Sequence, residues 1–395
     1  MPESTSRKII RYVRLPFEVR LLRLIFTVLV VVPLTMWLAW LLLPATNLDI
    51  FIVDKAVFDD SYQEHRSLNW VLTNEKITRP TGNPYRVDRD YWGVFPLPEK
   101  QFSVRDIAGY DTTRIDSLAS ALDLAYFAES YGLYRSEWLG IVEDPPTLLY
   151  GGLLDEEVEL LRALKTRGKT IVAEFSFLAP PTSWRNRERI QESFNLTWSG
   201  WTGKYLESLD TLDNPELPNW VVRLYREQHR GDWPFSESGI VLVDFRGPIV
   251  ILENRTHLTQ SVPTIETEYN ERKLINLPRH IEYPYWFDIT YGNPDSNQVI
   301  SWYRLHTNAA GDSILAAHRI PPHFPAVIAH RGPDYTFYYL AGDFSDNPVR
   351  LASAKLRWIY WFQTFFHNPQ IATDRRDFFW RYYRPLIVHI LRTVD

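Results

Sequence analysis

The chain contains no cysteine among its 395 residues. That absence removes disulfides, thiolate zinc sites and every mechanism built on a cysteine nucleophile, so a folded body of this size is held by packing alone. Also missing are the G-x-x-x-x-G-K-[ST] and G-x-G-x-x-G phosphate loops and the G-x-S-x-G elbow, which removes the usual nucleotide and serine-hydrolase readings. His306, His318, His323 and His330 lie close in sequence, but none follows H-E-x-x-H or another metal-ligand spacing, so neither a metal nor a cofactor is expected. Positive charge is scarce where most of the chain lies. Of 43 Lys and Arg, 6 precede Ala45, as do 2 of the 48 Asp and Glu, leaving 37 against 46 and a formal net charge of −9. Such a body does not suit a phosphate backbone, and no nucleic-acid partner is expected.

What is present begins with Leu24 to Leu43, twenty residues without a charge. That length spans a hydrocarbon core about 30 Å thick, and in lipid the segment must be helical, with Pro33 as a kink. Arg7, Lys8, Arg11, Arg14, Arg20 and Arg23 face only Glu3 and Glu18 before it, so the tail 1–23 is expected in the cytoplasm. The span 24–43 is then an uncleaved single-pass anchor in an inner or cytoplasmic membrane, with the bulk of the chain periplasmic or extracellular. The bilayer is the first expected partner.

The remainder reads as an α/β chain. Leu48–Val53 is a compact apolar run that predicts a buried strand ending at Asp54-Lys55, and Glu64-His65-Arg66 opens a helix. Leu122–Ala128 predicts a second strand, with Glu129 at its end. Leu148–Tyr150, the helix from Asp155 and the strand from Thr170 predict a βαβ unit with parallel pairing, Gly168 stopping the helix. Residues 44–235 form this α/β domain. From Gly239 the period changes to that of strands, and 236–350 is expected as a β-rich domain or an extension of the first sheet. Residues 351–395 carry helices in which arginines interleave with Trp, Tyr and Phe; they suit either core packing or a membrane surface.

Residues 48–210 resemble in pattern the flavodoxin-like, mostly parallel sheet of the class I glutamine amidotransferase superfamily and its ThuA-like relatives. The resemblance implies a strained strand-to-helix turn bearing a catalytic cysteine, which this chain lacks; glutamine hydrolysis by that route is excluded. It implies instead a repurposed scaffold of the kind used around envelope glycans.

Candidate chemistry gathers at the carboxyl ends of the expected parallel strands, where open α/β sheets bind ligands. Asp54, Glu129 and Glu174, with Glu192 nearby in sequence, are the acids there, and two suitably spaced carboxylates meet the needs of glycoside hydrolysis. Lys55, Glu64, His65 and Arg66 are candidates for polar recognition. Trp198 and Trp201 sit in an expected aromatic turn suited to stacking on a sugar, and Asp343 sits in a small-Gly-Asp turn after the strand 336–340. Three functions follow as expectations. The first is a non-catalytic glycan-binding or envelope-assembly component; the second is a glycan hydrolase using Asp54, Glu129 and Glu174. The third is a scaffold that meets a membrane-protein partner through the aromatic C-terminal helices.

Overall fold

Strand β1 (Ile50–Asp54) is buried at all five positions, which requires layers on both of its faces. In the computed structural model, which describes residues 17–141, 143, 145–368, 371 and 373–394, helices pack on the strands around it. Alongside β1 run β2 (Trp92–Leu97), β3 (Gln101–Arg105), β4 (Leu124–Glu129) and β5 (Thr170–Glu174). Strands β6 (Leu196–Leu206), β7 (Gly239–Asp244), β8 (Ile249–Glu253), β9 (Thr264–Thr267) and β10 (His280–Glu282) follow. Last come β11 (Trp286–Gly292), β12 (Gln298–Arg304), β13 (His323–Arg331) and β14 (Thr336–Leu340).

Ten strands form one sheet in the order β10-β9-β12-β13-β14-β5-β4-β1-β2-β3. Its centre, β14-β5-β4-β1-β2, is parallel. Both flanks are antiparallel, so the sheet is mixed rather than mostly parallel. The flanks reverse because short turns such as 332–335 leave no room for a crossover. The remaining four strands form a second sheet, β8-β7-β6-β11, with the hairpin 244–248 at its end.

One expected pairing is corrected. Leu148–Tyr150 does not enter the main sheet; it pairs antiparallel with Leu133–Tyr134 in a separate ribbon. The parallel partner that precedes helix Asp155–Thr166 is β4, which pairs directly with β5. Leu148 and Leu149 remain exposed, so this short stretch has no buried face with which to compete for the central position.

The carboxyl end of β1 is closed by β2, whose Gly93 sits at φ +137°. A Cβ there would lie 1.7 Å from the Asp54 carbonyl oxygen, a contact that backbone cannot yield. Glycine is what allows the two strands to meet.

The N-terminal apolar helix, Leu21–Leu41, is long and apolar enough to cross a membrane, and 6% of it is buried, so it is not a core helix. Residues 1–16, which carry Arg7, Lys8, Arg11 and Arg14 of the basic tail, lie outside the described residues. A π-helical turn at Thr27–Val31 precedes Pro33. That turn is a common device where an i→i−4 bond is lost, as it is at a proline. The foot of the helix is bonded to the body. Trp40 Nε1 donates to the Thr73 carbonyl at 2.8 Å, Lys76 Nζ donates to the Leu41 carbonyl at 2.7 Å, and the Arg357 amide donates to Met36 at 3.1 Å.

The C-terminal residues divide. Phe378, Phe379, Tyr382 and Tyr383 are buried in the main core, where Trp70 meets Phe379 and Trp380 edge-on at 5.2 and 5.1 Å. Trp361 and Phe365 are instead exposed, as are Trp358 and Phe362 to a lesser degree. Replacing Gly93 by Ala is expected to destabilise the chain by about 2 kcal/mol or more. Urea unfolding of the full chain in detergent measures this, and an unchanged midpoint would show that the β1–β2 closure is not tight.

Candidate functional site

Parallel register brings the strand-end acids together. Asp54 pairs with Glu129 across β1 and β4, and Leu340 pairs with Glu174 across β14 and β5. Helix α1 (Gln63–Asn74) begins above this edge and supplies Glu64. The turn after β14 supplies Asp343 and Asp346, and the C-terminal segment supplies Arg375.

Each strand-end acid is held differently. Asp54 Oδ2 lies 2.5 Å from His65 Nδ1, and its Oδ1 accepts from the Ala56 amide at 3.1 Å. His65 Nε2 lies 2.8 Å from the Val87 carbonyl. A carbonyl only accepts, so Nε2 carries a proton and one further proton is shared between Nδ1 and Oδ2. Both rings of contact are used, and His65 has no free nitrogen for a substrate. Glu174 is fully buried; its Oε1 accepts from the Tyr126 hydroxyl, and its Oε2 accepts from the Phe344 and Ser345 amides, each at 2.9 Å. Burial pushes its carboxyl up to about 8 against these hydrogen bonds. Glu129 Oε1 accepts from the Ser130 amide at 2.7 Å, the Tyr131 amide at 2.6 Å and the Ser176 hydroxyl. Burial, with the Asp54 charge, raises it to about 7. Among the described residues no hydrogen bond reaches Glu129 Oε2.

Beside them, one oxygen each from Glu64, Asp343 and Asp346 lies within 4.8 Å of the other two. Burial, and next the Asp346 charge, raises both Glu64 and Asp343 well above the ordinary carboxylate range. Arg375 Nη1 holds Asp346 Oδ2 at 2.6 Å, its Nη2 donates to the Asp343 carbonyl at 3.0 Å, and its guanidinium lies 3.4 Å over the Tyr285 ring. Glu64 is the part-exposed member and marks the mouth. The groups left unspent at this edge are carboxylate oxygens, which match hydroxyl, ammonium or metal-ion ligands.

Several expected site residues serve other ends. Lys55 points away from the cluster and is buried against Glu157 at 2.7 Å and the Gly152 carbonyl at 2.7 Å, because side chains alternate across a strand. Arg66 clamps the Ser61 carbonyl with Nε at 2.7 Å. Trp198 and Trp201 lie within β6, not in a turn, and both are buried, at 8% and 6% exposure. Arg187 lies over Trp198 at 4.7 Å and His318 meets Trp201 edge-on at 5.8 Å, so neither indole offers a stacking platform. Glu192 is exposed on helix Trp184–Phe194, away from the strand ends. Among the described residues the four histidines form no metal-ligand group: His306 meets Thr264, His323 stacks on Trp302 and lies 3.9 Å from Glu266, and His330 meets Asp334. Sequence reasoning missed Asp346 and Arg375 as partners; the acidic turn itself was visible, but nothing in the spacing ties it to a residue near the C-terminus.

No protein-family model matches the chain, and no curated protein matches it. Among solved structures it is similar to a ThuA-like protein from Bacteroides uniformis ATCC 8492. The identity is 9% and the TM-score 0.36, over 79% of this chain and 89% of that one. It is also similar to Agd3, described as a novel carbohydrate deacetylase, at 11% identity and a TM-score of 0.28. That match covers 80% of this chain and 33% of the other.

Glu174 ties its protonation to folding. Its folded carboxyl holds the proton up to about 8, whereas its ordinary value is 4.5, so the native state carries an extra proton between those limits. The associated stability is present below pH 4.5 and is lost as pH rises through about 8. At about 1.4 kcal/mol per unit, the loss is several kcal/mol. Denaturant unfolding of Glu174→Gln from pH 5 to 9 is expected to show a flatter pH dependence than the parent chain; parallel curves would refute the assignment.

Proposed function

We propose that the chain is a single-pass membrane protein whose body, periplasmic or extracellular, binds an envelope glycan at the strand-end acid cluster without cleaving it. The scaffold in this reading is a degenerate flavodoxin-like, amidotransferase-like domain of ThuA-like type, and the N-terminus is cytoplasmic. The observation that carries the reading is the set of unspent acceptors, Glu129 Oε2 with the carboxylates of Glu64 and Asp343, lining one edge of the sheet. A ligand rich in hydroxyl or amino donors is the complement of such a lining.

Hydrolysis is disfavoured by how the acids are committed. A glycosidase needs two carboxylates in contrasting states flanking a bond. Asp54 is spent on His65 and Ala56, and Glu174 on Tyr126, Phe344 and Ser345. Of the three acids suited to the task, Glu129 alone keeps an oxygen free.

Membrane attachment draws support from the foot of the apolar helix. Trp358, Trp361, Phe362 and Phe365 are exposed directly after Arg357, whose amide is bonded to Met36 of that helix. Aromatic side chains at this level suit the bilayer interface. Helix α1 connects the acid cluster to the foot over 12 residues, a length of about 18 Å.

Full-length protein in nanodiscs, presented with purified envelope polysaccharides and scored for binding and for new reducing ends, tests the reading. Binding without cleavage is expected, and Glu129→Gln is expected to weaken it at least about tenfold, or 1.4 kcal/mol. Release of reducing ends would favour the hydrolase instead. Failure to bind any polysaccharide would favour a scaffold role, for which loss of a co-purifying membrane protein on Trp361→Ala and Phe365→Ala substitution is the corresponding sign.

A further inference from the structure

Glu64, Asp343 and Asp346 reach one point from two distant parts of the chain, the first turn of α1 and the turn after β14. Their nearest oxygens all lie within 4.8 Å of one another. Around a calcium ion, with oxygen ligands at 2.3 to 2.6 Å, opposite oxygens stand about 4.6 to 5.2 Å apart and adjacent ones closer; around magnesium the limit is about 4.2 Å. Three oxygens spaced evenly at about 2.6 Å from one ion stand about 4.5 Å apart, so a cluster drawn within 4.8 Å has the span of a calcium site and exceeds that of magnesium.

A second observation points to a missing partner. Asp346 is 5% exposed, and its Oδ1 is buried with no hydrogen-bond donor, while its Oδ2 is spent on Arg375. The Asp343 carboxylate, also buried, accepts no hydrogen bond among the described residues; the Arg375 contact is to its carbonyl. Buried carboxylate oxygens rarely stand alone, because the lost hydration must be replaced.

Charge gives the same answer. Three carboxylates meet one guanidinium, and Arg375 is fixed over the Tyr285 ring at 3.4 Å, so it cannot swing across to serve Glu64. With all three ionised, two negative charges remain, which one divalent ion displacing the protons would balance. The donors are all oxygen, the choice of a hard ion over zinc or copper.

We propose that Glu64, Asp343 and Asp346 bind a divalent cation of calcium size, with Arg375 positioning Asp346 and water entering beside Glu64 to complete the coordination. The inference shares Glu64 and Asp343 with the glycan reading but requires no sugar, so a test without polysaccharide lets either fail by itself.

Full-length protein in detergent, stripped with EDTA and titrated with calcium, manganese or magnesium chloride by calorimetry and thermal unfolding, tests it without any polysaccharide present. One saturable calcium site is expected with a Kd of about 1 mM or tighter, with magnesium at least about tenfold weaker. Glu64→Gln, at the part-exposed mouth, is expected to weaken calcium at least tenfold, with the stripped protein still folded and unfolding at no lower a temperature than the parent. Asp343→Asn is expected to abolish the calcium-dependent rise in that temperature. If no ion binds saturably, the cluster is neutralised by protons and the proposal is overturned. Calcium binding that survives both substitutions overturns it equally.

Discussion

The structure turns on a buried carboxyl group at the centre of its sheet. Glu174 ends the middle strand β5 with no exposure to solvent, and a carboxylate in that position must be surrounded by donors. Those donors come from across the chain. Tyr126 lies on β4, and its hydroxyl is 3.0 Å from that of Tyr383 in the C-terminal helix. The Phe344 and Ser345 amides belong to the turn after β14. One side chain thereby connects the early parallel strands, the late antiparallel extension and the chain's last helical segment. The turn 341–347, buried throughout, is held against the sheet by this need rather than by hydrophobic contact alone.

Fixing that turn has a consequence for charge. It carries Asp343 and Asp346 to the same edge where register has already aligned Asp54 with Glu129, and where α1 begins with Glu64. Acids that would be solvated singly become a cluster with unequal duties. Asp54 is hydrogen-bonded to His65, Glu174 to amides and hydroxyls, and Asp346 is paired with Arg375. The unspent oxygens that remain are grouped rather than scattered, and grouping is what makes them chemically useful.

The opposite end of α1 faces a different constraint. Glu75, one residue beyond its end, receives Arg392 at 2.8 Å, Arg384 at 3.3 Å and Arg357 at 3.4 Å, while Lys76 reaches the carbonyls that end the apolar helix. The body is therefore bonded to the foot of the helix instead of hanging from a free linker. One short helix separates the acidic edge from the aromatic surface at the foot.

By itself the sequence determined the apolar helix, the buried strands ending at Asp54, Glu129 and Glu174, and the exclusion of cysteine chemistry. These follow from runs of adjacent residues: continuous apolar stretches, β-branched strands with a polar terminus, and a residue type that is absent. Tertiary structure decided what short-range pattern does not encode. Leu148–Tyr150 matched a central strand in composition, yet the place beside β5 went to β4, whose six residues are all buried. Trp198 and Trp201 suit a sugar-stacking turn by sequence, yet they lie in β6 and are buried under Arg187 and beside His318. Lys55 and Asp54 are neighbours in sequence but lie on opposite faces of the same strand, so one entered the acid cluster and the other a buried ion pair. Asp346 and Arg375 meet only because Glu174 draws the turn onto the sheet and the final helix packs behind it; contacts between segments so far apart are set by the solvation needs of buried groups, which no local spacing records.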